Sequence, residues 1–301
     1  MQVWRLQTRT DGGDIAEICL KENVVAMGWP LCPKDERELA ENPVFEHYND
    51  LGKNDPNLRN FGSVRRMAVE TKENDIIWLR HKGQYYFARV SDKSRWYYDF
   101  SEKARKTDTN NRLSNIFWHK VSEKSDESSV PGCLTTGFIK GSTYQRINKS
   151  GINEYSQMLY NMRASASEGY RYPNPRLSLN EQDFWNLLQP DDAEDLLCMW
   201  LYKEKGYVVI PSTNKRSTEL YECVLLDPNA EEYKHVYVQV KKGAVVIDAS
   251  QYASLDGEVY FRENSRMSPV NASVTAENRI KGLIGIRDCV RRDRKSTRLN
   301  S

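Results

Sequence analysis

Short apolar runs in the first half of the chain predict strands separated by turns. The runs are rich in β-branched and aromatic residues and are bounded by Gly, Asn and Asp, which is typical of strands. Two of them flank His81-Lys82-Gly83-Gln84, where the glycine predicts the turn of a β-hairpin. The predicted strands are Val3–Gln7, Val24–Met27, Asp75–Leu79, Tyr85–Ser91 and Ile116–Lys120.

Helical spacing of apolar residues appears between Pro33 and Glu73 and again between Asn148 and Met162. Near the end of the first of these stretches, Val64, Met67 and Ala68 fall on one helix face. After Met162 the chain loses its periodicity. Residues 164–178 hold Ser, Gly and two prolines, and we interpret them as an interdomain linker.

The pattern beyond the linker predicts a second folded part. A short helix is expected at Asn180–Leu188, and a stronger one starts at Pro190, with acidic residues in its first turn and an apolar stripe that includes Leu197 and Leu201. Gly206 stands where a helix C-cap is expected. Strands are predicted at Tyr207–Pro211, Tyr221–Leu226, Val236–Lys241 and Glu258–Arg262, followed by a helix at Thr275–Ile286.

A chain of 301 residues is long for one domain, and these patterns predict two. The first, 1–163, is β-rich with helices; the second, 179–292, is α/β, so the whole chain is expected to be α+β. The last nine residues, Asp293–Ser301, resemble the translation of a sequencing-library adapter, and we leave them out of fold reasoning.

Composition excludes several classes of protein. The chain has no apolar run of about 18 residues, which a membrane span needs, and its N-terminus has no apolar signal region. A cytoplasmic protein without a membrane partner is expected. The six cysteines form no CxxC pair, which fits neither a zinc site nor a disulfide framework. The formal charge of +2 comes from the last nine residues, so net charge does not indicate nucleic-acid binding.

Three residues of the second domain suggest phosphodiester chemistry. Gln239 and Lys241 are two apart on a predicted strand and therefore share a face, and Glu222 opens the strand before it. Hydrolysis of a phosphodiester needs a divalent cation, which prefers oxygen ligands, and a positive charge near the phosphate. Lysine on the same face as a glutamine is unusual in a half-buried strand, and a catalytic site would explain it.

This arrangement resembles the PD-(D/E)XK nuclease superfamily, in particular its Mrr-like restriction endonucleases, in which Q-x-K often replaces the acidic motif. Gln239-Val240-Lys241 matches that motif, and Glu222 stands seventeen residues before Gln239. The resemblance implies a restriction-endonuclease-like mixed sheet flanked by helices. It also implies that Glu222 and the Val240 carbonyl bind Mg²⁺ (or Mn²⁺), that Gln239 takes the place of the second acid, and that Lys241 positions or activates water.

The resemblance adds Glu194, on the preceding helix, as an auxiliary catalytic residue. Family members usually have Asp where Glu222 stands, and Glu219 is a second candidate for that position. A different interpretation of Lys241 is that lysines on an edge strand discourage edge-to-edge pairing. Lys242 is expected to face the opposite side and to be solvated.

The first domain is rich in large aromatic residues. Trp4, Trp78 and Phe87 are expected in the core. The N-terminal strand, the Gly28-Trp29 element and the predicted hairpin together resemble EVE and other PUA-like barrels, some of which recognise modified bases. The resemblance implies a base pocket and phosphate contacts. The candidates for the pocket are Trp29, Trp96 and Tyr98, and those for phosphate are Arg80, Lys82 and Arg95.

The function expected from these features is that of a Mg²⁺-dependent DNA endonuclease of restriction type. Its first domain would select the target, by sensing a modified base or by reading the DNA in another way, in a role such as prokaryotic defence. Two alternatives stay open: a non-catalytic nucleic-acid-binding protein on a degenerate nuclease fold, and an RNA-binding or RNA-processing protein. Assembly as a homodimer is also left open.

Overall fold

The structure, a computed structural model, divides the chain into two compact units, Met1–Leu187 and Leu188–Ser301. Each unit contains both helices and β-sheet, so the chain is α+β. The residues described are 1–8, 14–56, 58, 61–122, 129–138, 142–165, 168–173, 184, 187–211, 213, 221–232, 234–241, 249–263 and 280–282.

The first unit alternates short strands and short helices. Its helix α4 continues directly into a π-helical turn at Arg66–Glu70. The elements in chain order are β1 (Val3–Leu6), α1 (Ile15–Glu22), β2 (Val25–Met27), α2 (Pro33–Glu41), α3 (Phe45–Asn54), α4 (Gly62–Arg65), β3 (Ile76–His81), β4 (Gln84–Arg89), β5 (Trp96–Tyr98), α5 (Glu102–Lys106), β6 (Asn111–Leu113), β7 (His119–Lys120), α6 (Gly132–Gly137), β8 (Tyr144–Arg146) and α7 (Ile152–Arg163).

A five-stranded sheet with the order β7-β4-β3-β1-β8 separates two apolar cores. Because side chains alternate along a strand, Trp4 faces one core and Val3 the other. Trp4, Trp78 and Phe87 are buried, as the sequence predicts. The Trp4 indole Nε1 donates a hydrogen bond to Asp75 Oδ2 at 2.8 Å, so the buried ring leaves no donor unsatisfied.

The predicted hairpin is present, with β3 and β4 paired antiparallel from Ile76 to His81. His81 lies opposite Gln84, and the two turn residues both have positive φ, 47° at Lys82 and 76° at Gly83. Two positive φ values in a two-residue loop define a type I′ turn, whose twist matches that of the strands. The glycine thus occupies a position that side chains adopt only at a cost.

The expected barrel is not closed by the strands that the structure describes. Strands β2, β6 and β5 form a separate antiparallel sheet. In the five-stranded sheet the outer strands β7 and β8 pair with β4 and β1, not with each other. A closed barrel requires its first and last strands to pair, so the described strands of the first unit form one mixed sheet and one antiparallel sheet, accompanied by helices.

The described part of the predicted linker packs on the first unit. Tyr172 is buried in the same core as Val3, and it exchanges two 2.9 Å hydrogen bonds with the side chain of Asn161. Ala164 is buried there too. These contacts place residues 164–165 and 168–173 inside the first unit, while 174–178 lie outside the described residues.

The described residues of the second unit form a mixed sheet with a long helix packed against it. The elements are α8 (Pro190–Lys205), β9 (Val208–Val209), β10 (Cys223–Leu226), β11 (His235–Lys241), a 3₁₀ turn (Ala249–Tyr252), β12 (Glu258–Glu263) and β13 (Ile280–Gly282). The sheet order is β13-β12-β11-β10-β9, parallel from β11 to β13 and antiparallel from β9 to β11.

Helix α8 begins and ends where the sequence predicts. The Asp192 carboxylate accepts the Gln189 backbone N–H at 3.0 Å in a capping box, and Gly206 ends the helix with φ 75°. Leu197 and Leu201 are fully buried. No helix in the described ranges has both the length and the apolarity to cross a membrane.

The helix predicted at Thr275–Ile286 is wrong where the structure describes it, because Ile280–Gly282 form strand β13. These residues pair in parallel with Val259–Phe261 of β12. A short apolar run does not distinguish a helix from a buried strand, and the ladder with β12 decides the outcome here. The other residues of the predicted helix are outside the described ranges.

Candidate functional site

The sheet of the second unit brings Glu222 and Gln239 together. Cys223 lies opposite Val238 in the antiparallel pair β10–β11, and the Glu222 backbone N–H donates to the Val238 carbonyl at 2.8 Å. This register places Glu222 opposite Gln239 with both side chains on one face. The Gln239 amide Nε2 donates to Glu222 Oε1 at 2.7 Å.

Gln239 is fully buried, yet only half of its amide has a partner. Its Oε1 is inaccessible to solvent and accepts no hydrogen bond from the described residues. The amide cannot simply be turned round, because its N–H must face the Glu222 carboxylate. A buried carbonyl without a donor lowers the folding stability by about 1–3 kcal/mol. A cation or another electropositive group beside this oxygen would remove that cost.

An apolar cluster covers the same face of the sheet. Val224, Tyr237 and Val259 pack there with Tyr252, the last residue of the 3₁₀ turn. Burial raises the pKa of the Tyr252 hydroxyl, and the charge of Glu222 raises it further. The Glu222 carboxylate therefore lies close enough to Tyr252 to act on it electrostatically, at the edge of an apolar environment.

The charge of Glu194 also acts near the start of β10. Glu194 lies on α8, one turn before Cys198, whose Sγ is 3.0 Å from Cys223 Sγ. The hydrogen bond with Cys198 and burial raise the pKa of the Cys223 thiol, and the charges of Glu194 and Glu222 add to that rise. Both carboxylates are thus near Cys223. A catalytic role for Glu194 stays a prediction.

The structure describes the backbone of Lys241 but not its side chain. Lys241 is the last residue of β11 and pairs with Glu263 of β12. Val240, whose carbonyl is the other predicted metal ligand, is buried. Glu222 lies beside Gln239 in the sheet register, whereas Glu219 is outside the described residues, so the choice between them as metal ligand stays a prediction.

In the first unit, Trp96 belongs to a cluster of aromatic rings. Its ring is half-buried and lies edge-on to Phe45, with centroids 5.3 Å apart, and 5.6 Å from Tyr48. Its indole Nε1 donates to Asn111 Oδ1 at 3.3 Å. A half-buried indole held at one edge keeps part of its surface accessible for stacking.

Tyr98 occupies a different position from Trp96, although both face the same cluster. The Tyr98 side chain is only 4% exposed. Its hydroxyl donates to Glu36 Oε1 at 2.6 Å and accepts the Leu31 backbone N–H at 3.0 Å. Because the Tyr98 ring is buried and its hydroxyl is hydrogen-bonded, no face of the ring is open to a base. The prediction that Tyr98 stacks on a base is therefore wrong.

Trp29 contacts Tyr48 and Asn111 of this cluster through its backbone, and its φ is 62°. Its carbonyl accepts a 2.9 Å hydrogen bond from the Tyr48 hydroxyl, and the Asn111 amide donates to the same carbonyl at 3.3 Å. The preceding Gly28 is required, because a Cβ there would come within 1.9 Å of Asp108 Oδ1. Trp29, Trp96 and Asp108 are therefore held around the Tyr48–Asn111 pair.

Asp108 and Asn111 are polar members of the cluster that the sequence pattern did not indicate. Burial raises the pKa of the Asp108 carboxyl, opposed by the backbone N–H of Trp29. Burial also raises the pKa of Tyr48, and the charge of Asp108 contributes to that rise. In the sequence, TDTNN is typical of a solvated turn, and the only local signal was the Gly28-Trp29 pair.

The three basic candidates have different surroundings. The Arg80 guanidinium lies over the Tyr85 ring at 5.4 Å, and Lys82 pairs with Asp14 at 3.4 Å and Glu17 at 3.6 Å. Arg95 precedes Trp96, and its Nη1 donates to two backbone carbonyls of its own loop. Of the three, Arg95 is the one next to the aromatic cluster in sequence, whereas the charge of Lys82 is offset by two carboxylates.

Comparison with known proteins leaves the family open. No protein-family model matches the chain, and neither a curated protein nor a solved structure matches it. The resemblances to nucleases and to PUA-like domains thus rest on the quoted motifs, and function has to be inferred from the geometry of the described residues.

Proposed function

We propose that the chain is a Mg²⁺-dependent DNA endonuclease whose second unit cuts and whose first unit reads the target. The observation that carries the proposal is the Glu222–Gln239 pair. A carboxylate and a buried amide are joined at 2.7 Å on one face of the sheet, and the amide oxygen has no partner among the described residues. A site that lacks only an electropositive group suits a cation.

The oxygen atoms present fit Mg²⁺ or Mn²⁺. The Glu222 carboxylate, the Gln239 Oε1 and the Val240 carbonyl would hold it, since hard cations prefer carboxylate and carbonyl oxygens. When bound, the cation would supply the charge that polarises a phosphodiester and acidifies water. The hydrogen bond from Gln239 keeps the Glu222 carboxylate oriented before any metal arrives.

Lys241 would act on the reacting phosphate. It lies two positions after Gln239 on β11, and alternation along a strand predicts that the two side chains share a face. Its ammonium would stabilise the negative charge that develops at the phosphate and would orient the attacking water. Glu194 would assist from α8. A mixed sheet with a helix on one face is also the arrangement proposed for a PD-(D/E)XK nuclease.

The first unit would select the DNA by holding one extruded base. The half-buried rings of Trp29 and Trp96 would stack on the base, as in a PUA-like or EVE-like pocket. Asp108 would accept a hydrogen bond from the base edge. Arg95 would contact the phosphate next to the base, and Arg80 and Lys82 would contact phosphates farther from it. A modified base is the target that the resemblance to EVE-like domains implies.

The test is cleavage by the full chain in Mg²⁺, in Mn²⁺ and in EDTA. The substrates are methylated duplex DNA, the same unmodified duplex, and RNA of the same sequence. Metal-dependent cleavage of DNA, with methylated duplex preferred, is expected. DNA binding without cleavage in either metal would support the non-catalytic alternative instead. Cleavage of RNA alone would support an RNA-processing protein.

A further inference from the structure

Two cysteines from different elements meet beside the candidate site. Cys198 lies on α8 and Cys223 begins β10, and their sulfur atoms are 3.0 Å apart. A disulfide bond needs a separation of about 2.05 Å, so a displacement of about 1 Å would close it. Both residues are free thiols in this structure.

The packing around the two thiols favours reaction between them. Leu197 and Leu201 on the same helix are fully buried, which holds α8 against the sheet and keeps the sulfurs together. Cys223 is 1% exposed, whereas Cys198 is only partly buried. A small oxidant from solvent therefore reaches Cys198 first, and Cys223 is the adjacent thiol able to resolve the product.

We propose that Cys198 and Cys223 are a redox modification site that closes to a reversible disulfide when the protein meets a peroxide. The Cys198 sulfur attacks hydrogen peroxide, the O–O bond breaks, and a sulfenic acid and one water form. The Cys223 thiol then attacks the Cys198 sulfur, so that the S–S bond forms as the S–OH bond breaks, and the hydroxyl leaves with the Cys223 proton as a second water. One peroxide is reduced and two thiols are oxidised; a dithiol reductant reverses the reaction.

The position of the pair gives the disulfide a consequence for the proposed function. Cys223 directly follows Glu222, and Cys198 lies one turn after Glu194. Closure would join the helix that carries Glu194 to the strand that Glu222 directly precedes. This consequence rests on the proposed nuclease site, whereas the disulfide itself does not, because its formation requires neither metal nor DNA.

The experiment treats the full chain with hydrogen peroxide and maps its cysteines by mass spectrometry. The expected product has lost two hydrogen atoms and yields a peptide that joins Cys198 to Cys223. We expect the melting temperature of the second unit to rise by roughly 5 °C or more, since the cross-link restricts the unfolded chain, and to return after dithiothreitol.

Cys198→Ser and Cys223→Ser should each abolish the linked peptide and the melting shift. Cys133→Ser, in the first unit, is the matched control and should keep both. A wild-type product that gains oxygen without a Cys198–Cys223 link would overturn the proposal, as would a cross-link to another cysteine. Because the linked peptide is mapped in the wild-type protein, its presence or absence decides the proposal even if a variant folds poorly. It also holds if the chain cuts no nucleic acid.

Discussion

Gln239 combines three properties that a structural glutamine seldom has together. It is fully buried, it donates to a carboxylate at 2.7 Å, and its carbonyl oxygen accepts nothing from the described residues. An amide that only supported the fold would gain more from having both halves satisfied. We therefore infer that the Gln239 Oε1 atom faces the metal.

Replacing Gln239 should separate its structural from its metal-binding role. Gln239→Glu places a second carboxylate beside Glu222 and removes the hydrogen bond, so without metal the unfolding free energy should fall by about 1–3 kcal/mol. Mg²⁺ should restore much of that loss by neutralising the pair. The measurement is the melting temperature in EDTA and in Mg²⁺.

Gln239→Met is the matched control for this prediction. It fills a similar volume but offers no oxygen, so we expect Mg²⁺ to leave its melting temperature unchanged. A Gln239→Glu protein as stable as the wild type in EDTA, and indifferent to Mg²⁺, would show that this oxygen faces no cation.

Asp108 should give the first unit a pH-dependent stability. Burial raises the pKa of its carboxyl above the ordinary value of 3.8, so the folded protein holds the proton more tightly than the unfolded chain does. Stability is therefore lost as the pH rises from that ordinary value through the folded pKa. The loss should be at most about 1 kcal/mol, because the carboxyl is only half-buried.

Asp108→Asn removes the titration and keeps an oxygen for the Trp29 N–H. The difference in unfolding free energy between Asp108→Asn and wild type should grow as the pH rises through the acid range and then level off. Urea unfolding across a pH series measures it. A difference that stays constant, or that shrinks with rising pH, would contradict a buried carboxylate at this position.

Sequence alone predicts part of each site for a physical reason. Alternation along a strand is a short-range rule, so Gln239 and Lys241 could be assigned to one face, and Glu222 could be placed on the preceding strand. Asp108 reaches Gly28 and Trp29 through packing between segments some eighty residues apart. No local pattern records such a contact. The same holds for Tyr98, whose burial depends on Glu36 and Leu31.

Among the elements, the best predictions were those with strong local signals. Gly83 indicates the turn of the β3–β4 hairpin, and Gly206 indicates the C-terminal end of helix α8. Helix α1 was not predicted, because its eight residues follow a Gly- and Asp-rich stretch and are stabilised by burying Ile15 and Cys19. Strand β13 was predicted as helix, because its partner β12 is a tertiary contact.

The turn of the hairpin can be tested at element scale. Gly83 has φ 76°, and a Cβ added there would meet nothing within 4 Å, so Gly83→Ala should cost about 1 kcal/mol through backbone strain alone. Lys82→Asn should be neutral or slightly stabilising, since asparagine tolerates positive φ and Asn-Gly favours this turn. Chemical denaturation measures both. Equal stability of Gly83→Ala and wild type would rule out the type I′ turn.

At the scale of the whole molecule, the two units carry different kinds of chemistry. The first has aromatic rings around an amide, a phenol and a carboxylate, which suits recognition of a planar base. The second has a carboxylate and an amide oxygen on a sheet face, which suits a cation. In the proposed function, substitutions in one unit should affect binding and those in the other should affect cleavage.

The most direct measurement is single-turnover cleavage of modified duplex DNA in Mg²⁺, together with DNA affinity, for Lys241→Ala, Lys242→Ala and Trp96→Ala. Lys241→Ala should lower the cleavage rate about 100-fold or more with affinity retained, because it removes a charge needed in the transition state. Lys242→Ala, the adjacent lysine predicted on the opposite face, should cut at nearly the wild-type rate. Trp96→Ala should weaken binding. Cleavage by Lys241→Ala at the wild-type rate would contradict the account.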